Sequence, residues 1–164
     1  MKTVFLKSAG SLLILITACF LQVSGQNKKN DNAALQKALD TKHFVFVAQT
    51  VTPLRGGVRQ LTSQYDLTLS GDTVISSLPY FGRAYVAPMN PSESGLSFTT
   101  TTSDYRVKLK KKGAREIGIS TKAAGDNQRM QLTVFSNGTA SLQVTSNNRD
   151  AISFTGYVQE IKKR

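Results

Sequence analysis

Catalysis needs side chains that move protons, hold a metal or attack carbon, and this chain offers few. His43 is the only histidine. A Ser–His–Asp or Cys–His nucleophile needs an imidazole positioned by a partner, and His43 instead opens a strand-like run, which suits a strand edge or surface. The carboxylates Asp66, Asp72, Asp104, Asp126 and Asp150 are scattered, mostly in or beside turn sequences, where aspartate bonds nearby backbone amides. A paired-carboxylate hydrolase would need two of them brought together by the fold. Cys, His and carboxylates do not cluster at zinc-ligand spacing. Gly56-Gly57 lacks the flanks and the following helix of a phosphate loop. No catalytic residue, cofactor or metal site is expected, and the chain reads as a binding domain, not an enzyme.

Two groups of residues could bind. The stretch from Leu78 to Pro88 gathers Tyr80, Phe81 and Tyr85 around Arg83, in a chain without tryptophan. The plain role of such rings is to fill a core. Their functional role would be a platform for a small amphipathic ligand that Arg83 orients. Alternation sets Arg83 on the face of Phe81 and Tyr85 unless Gly82 breaks it. An inward arginine would need Asp66 or Asp104 as partner. The second group is Arg106, Lys108, Lys110 and Lys112, with Lys111 and Arg115 beside them. Here alternation sets Arg106, Lys108 and Lys110 on one face while Val107 and Leu109 enter the core. Such cations guard a strand edge or form a landing patch for an anionic polymer or membrane surface.

Charge points the same way. Lys and Arg number 21 against 10 Asp and Glu, a formal net charge of +11, which favours anionic partners. Nucleic acid is not expected, because no aromatics interleave with the lysines for stacking and the chain opens with an export signal. Lys2 and Lys7, an apolar run from Leu12 to Leu21 and the small residues Val23-Ser24-Gly25 follow the secretory leader pattern. The apolar run is shorter than the ~20 residues of a spanning helix. Cleavage after Gly25 would free the product. Ile16-Thr17-Ala18-Cys19 also resembles the bacterial lipoprotein box, in which Cys19 would carry a lipid anchor. Cys19 is the only cysteine, so an internal disulfide is ruled out.

The elements that position these groups follow from pattern. Residues 1–25 form the leader, 26–42 a polar tether and short helix, and 43–164 a single β domain. Asn30 or Asp31 caps a helix whose Ala34, Leu35, Ala38 and Leu39 share a face. The run His43 to Val51 is apolar on both faces, a strand covered on both sides, one of them by that helix. Hairpin turns are expected at Gly71-Asp72, Lys112-Gly113, Gly125-Asp126-Asn127, Asn137-Gly138 and Asn147 to Asp150. Pro79 offers no N–H and Gly82 permits a bulge, so Leu78 to Pro88 reads as a kinked strand or strand pair laying its rings across the core. Pro88 to Gly95 is a loop, Leu96 to Thr102 one strand and Tyr105 to Lys110 the next. Nine or ten strands with hairpin-length links give an all-β fold with one short helix, an antiparallel β-barrel or β-sandwich.

Laid out this way, the chain resembles an uncharacterised bacterial family, domain of unknown function 4251, found in proteins exported from Gram-negative cells. The resemblance rests on Leu61-Thr62-Ser63 with Tyr65, the stretch from Leu78 to Tyr85, and Gly95-Leu96-Ser97-Phe98 with Tyr105. It continues through Phe135 to Ala140, Asn148-Arg149 and Ile152 to Gly156. It implies an exported β domain of the periplasm or cell envelope. The family has no established activity, so no site residue transfers. Two readings follow: a barrel holding a small amphipathic ligand against Tyr80, Phe81 and Tyr85, or an envelope protein presenting its basic strand face to an acidic glycan or protein.

Overall fold

The computed structural model describes residues 33–86, 96–123 and 125–161. The leader, Cys19, the Asn30 and Asp31 caps and the Pro88 to Gly95 loop lie outside them. Alternating apolar and polar residues fold as eight strands: β1 (His43–Pro53), β2 (Arg59–Ser70), β3 (Thr73–Leu78), β4 (Leu96–Leu109), β5 (Arg115–Ala123), β6 (Asp126–Val134), β7 (Thr139–Ser146) and β8 (Ile152–Glu160). Each pairs antiparallel with the next and β8 returns to β1, closing an up-and-down barrel. From Leu35 onward the chain is one compact unit.

Phe44, Phe46 and Phe154 fill the interior with Leu67, Leu69, Ile117, Leu132 and Leu142, all fully buried. Outward positions of β4–β7 carry Arg, Lys, Gln, Ser and Thr. A lipid-spanning barrel has the reverse arrangement, apolar outside and polar within. Among the described residues, no helix is long and apolar enough to cross a membrane.

Sequence reading expects nine or ten strands; eight are present among the described residues. The stretches Leu96 to Thr102 and Tyr105 to Lys110 are one strand, β4, whose register slips between Thr102 and Asp104. The slip is a bulge at Ser103, which inverts the alternation and mimics a strand break. The second difference is the Leu78 to Pro88 stretch. β3 stops at Leu78, and residues 79–86 form a loop whose β-type pairing, among the described residues, is a single Ala84–Arg149 bridge.

A barrel has two ends, and each exposes core side chains unless something covers it. At one end lies α1 (residues 33–40), which buries Leu35, Ala38 and Leu39 but leaves Ala34 exposed. The Tyr105 hydroxyl donates to the Leu39 carbonyl at 3.1 Å, and Arg115 pairs with Asp40. Lys42 holds Asp72 of the β2–β3 turn at 2.8 Å. The helix therefore lies at the barrel's end, not along β1 as the sequence suggests. On the outer side of β1, Val45 and Val47 are half-buried.

Beyond Thr101, β4 loses β3 as a neighbour and keeps only β5. This arm outruns the rim. Val107 and Leu109 consequently stay exposed, Leu109 at 77%, instead of entering the core. The adjacent cations then flank an edge that has lost its neighbour, where charge discourages pairing with another chain.

Candidate functional site

The aromatic stretch covers the other end of the barrel. Pro79 cannot extend the β3 ladder, and the loop is organised around Tyr80, whose hydroxyl bonds the carbonyls of Arg83 at 2.8 Å and Asp150 at 3.0 Å. Gly82 is required there: a Cβ would sit 2.4 Å from the Tyr80 hydroxyl oxygen. Backbone bonds from Tyr85 to Asn148 and from Asp150 to Arg83 tie the loop to the β7–β8 connection. Tyr80 is half-buried against the core, under the Arg149 guanidinium. Burial first, then the Asp150 charge, raises its phenol pKa. Tyr85 donates to the Asp150 carboxylate, which raises its pKa as well.

These positions correct the expectation of rings laid across a core. Phe81 and Tyr85 are exposed, and only Tyr80 packs inward. Arg83 is exposed and, among the described residues, makes no ion pair with Asp66 or Asp104. The reason is local: once β3 ends, period-two alternation no longer assigns faces. Tyr80, Phe81, Arg83 and Tyr85 do share one loop, but outside the barrel interior.

The basic group divides. Arg106 and Lys108 stand on the outer wall, where register places Arg106 opposite Gly118 and Lys108 opposite Glu116. Lys110 lies just past β4 and pairs with Glu116 at 2.7 Å. Lys112 sits in the 3-10 turn Lys111–Gly113 with φ of 60°, exposed and away from the wall.

Register also brings in residues that the sequence did not single out. Arg106, Gly118, Gln131 and Gln143 stand opposite one another on four successive strands. The next row holds Asp104, Ser120, Arg129 and Thr145. Gly118 has no side chain, and nothing lies within 4 Å of where a Cβ would project. The gap is a groove of about 280 Å³ rimmed by Arg106, Lys108 and Arg129, with Gln131, Gln143 and Thr145 along it. It adjoins a second, more polar hollow of about 440 Å³ sharing Ser120, Arg129 and Thr145. Arg106 leans on Asp104 at 2.8 Å. Among the described residues neither Lys108 nor Arg129 forms an ion pair. The groove's carboxylate, Glu116, is held below the usual range by the Lys110 hydrogen bond, with a further bond from Gln131. Strand spacings of about 4.8 Å and a rise of about 3.4 Å per residue set Arg106 and Lys108 about 7 Å apart and Arg129 about 12 Å from Arg106. A mid-strand glycine was the signal available; its neighbours depend on register. His43 turns its ring to the Thr41 carbonyl at 2.9 Å. Among the described residues no three His, Cys, Asp or Glu could hold a metal.

The profile of a domain of unknown function, DUF4251, matches residues 26–158. The chain belongs to the DUF4251 family. A solved relative supports the same architecture: the crystal structure of a DUF4251 family protein from Bacteroides eggerthii DSM 20697, at 18% identity and a TM-score of 0.60. The match covers 79% of this chain and 87% of that one. At that identity the likeness speaks for the DUF4251 fold alone. No curated protein matches the chain.

Proposed function

We propose that this DUF4251 protein is an exported, noncatalytic binding domain that holds an acidic glycan along the outer wall of β4–β7. The observation that carries the reading is the bare floor at Gly118, which opens a groove rimmed by Arg106, Lys108 and Arg129. Carboxylates spaced along a polyuronate meet cations spaced along the wall, while the Gln131 and Gln143 amides and the Thr145 hydroxyl suit sugar hydroxyls. The interior favours this choice over a ligand held within the barrel, since Phe44, Phe46 and Phe154 occupy it. The charge excess of the whole chain would draw such a polymer from a distance.

The test is retention on immobilised polygalacturonate against a neutral glucan. Binding should be selective for the acid polymer and weaken steeply with salt. Arg129→Ala and Lys108→Ala should each lower affinity about tenfold, the loss of one charge-assisted contact of ~1.5 kcal/mol. Equal retention on both matrices, or variants indistinguishable from wild type, would sink the reading.

A further inference from the structure

The barrel end away from α1 carries a feature that the wall groove does not use. Residues 54–58 join β1 to β2 beside the 79–86 loop: Arg59 stacks 5.3 Å from the Phe81 ring centroid, and the Arg55 charge reaches the Tyr85 phenol. Together these loops expose five large apolar side chains, Leu54 at 63%, Val58 at 66%, Phe81 at 40%, Tyr85 at 67% and Val86 at 57%. Arg55, Arg59 and Arg83 are exposed among them. Among the described residues the carboxylate that meets this loop is Asp150, and it already accepts the Tyr85 hydroxyl.

Folding does not require this pattern. The tip of the first loop stands clear of the described residues, with none of their atoms within 4 Å of a Cβ placed on Gly56 or Gly57, and Leu54 and Val58 keep most of their surface open, at 63% and 66%. The second loop is pinned through Tyr80, Ala84 and Tyr85, which presents its rings on a firm support. Projecting apolar side chains ringed by arginines match a fluid acidic surface. Apolar groups sink to headgroup depth, tyrosine favours that boundary, and arginine reaches lipid phosphates along its aliphatic stem.

We propose that this end docks on an anionic lipid bilayer, with Leu54, Val58 and Phe81 entering the headgroup layer and Arg55, Arg59 and Arg83 pairing with lipid phosphates. The inference rests on this end alone and holds whether or not the wall binds glycan.

The chain has no tryptophan, so one introduced indole reports its own surroundings. In the full chain, Val58→Trp emission should shift to the blue on adding phosphatidylcholine vesicles that contain phosphatidylglycerol, and not with phosphatidylcholine alone. Ile75→Trp, on the exposed outer side of β3, should not move. Adding Arg55→Glu and Arg59→Glu to Val58→Trp should raise the vesicle concentration needed for half the shift at least tenfold. An unshifted Val58→Trp, an equal shift at both positions, or an equal response to neutral vesicles would overturn the proposal. So would a blue shift with poly-glutamate but none with vesicles, which would assign the end to an acidic protein partner.

Discussion

Gly156 is the position at which a single methyl group should do most damage. It stands on β8 between Ala48 of β1 and Ala140 of β7, beside the point where the β1 register slips between Ala48 and Thr50. A Cβ there would lie 1.9 Å from the Val47 carbonyl oxygen, 2.9 Å from its carbon and 3.1 Å from the Ala48 Cα. All three are backbone atoms, so no side-chain rotation relieves the clash. An ordinary carbon–oxygen contact is about 3.3 Å, and reaching it requires β1 to retreat by roughly 1.4 Å. Such a shift takes neighbouring ladder bonds past hydrogen-bonding range. Leaving two buried groups unsatisfied costs about 2–6 kcal/mol, against a gain of only ~0.5–1 kcal/mol from the stiffer unfolded chain. Gly156→Ala should therefore lose about 1–5 kcal/mol of a total of roughly 5–15 kcal/mol. Gly118→Ala is the matched control: its Cβ meets nothing within 4 Å, so it should gain ~0.5 kcal/mol. Urea unfolding of the two variants measures both. A Gly156→Ala protein within ~0.5 kcal/mol of wild type would refute the close approach of β8 to β1 and the closure it represents.

Four further outcomes follow from the ends and turns. Burial, with the Asp40 charge second, pushes the Tyr105 phenol up to about 12. Because the folded value lies above the unfolded value of about 10, its contribution to stability is complete below pH 10 and fades as pH rises toward 12. An ultraviolet phenolate titration should show Tyr105 as the last tyrosine to ionise, behind Tyr80 and Tyr85, which are also raised; Tyr105→Phe should remove that last step, and its persistence in the variant would refute the assignment. Tyr80→Phe, which leaves two carbonyls without their shared donor, should cost ~1–3 kcal/mol in urea unfolding. Arg83→Ala, a change at an exposed side chain, should stay within ~0.5 kcal/mol. Asn137→Ala should cost ~1 kcal/mol, because Asn137 Oδ1 accepts from both the Thr139 amide at 3.1 Å and its hydroxyl at 2.7 Å.

Much of the barrel could be read from the chain because strand alternation is a local property. Leu67 and Leu69, Met130, Leu132 and Val134, and Ala140, Leu142 and Val144 announce their own faces, and Asn137-Gly138 announces its turn with a Gly138 φ of 83°. What misled were places where a local rule meets tertiary structure. Ser103 shifts β4 by one residue and makes a single strand look like two. Leu109 has an inward position by alternation, yet β4 has left the barrel by then. Tyr85 belongs to a loop fixed by Asn148 and Asp150, more than 60 residues away in sequence. The candidate site was half legible: Arg106 and Lys108 stood out as a charge pattern. Arg129, Gln131 and Gln143 joined them only through register across β5–β7, which no single segment encodes.

The wall groove exists because residue 118 lacks a side chain, and filling it is the most direct trial. Gly118→Val places a branched side chain, well suited to a strand, into open space beside Arg106, Gln131 and Gln143 while leaving every cation in place. Calorimetric titration with an oligogalacturonate should show binding to the wild-type protein and at least a tenfold loss in the variant, with unfolding stability equal or improved. Undiminished binding by a folded Gly118→Val protein would contradict the placement of the ligand on this wall.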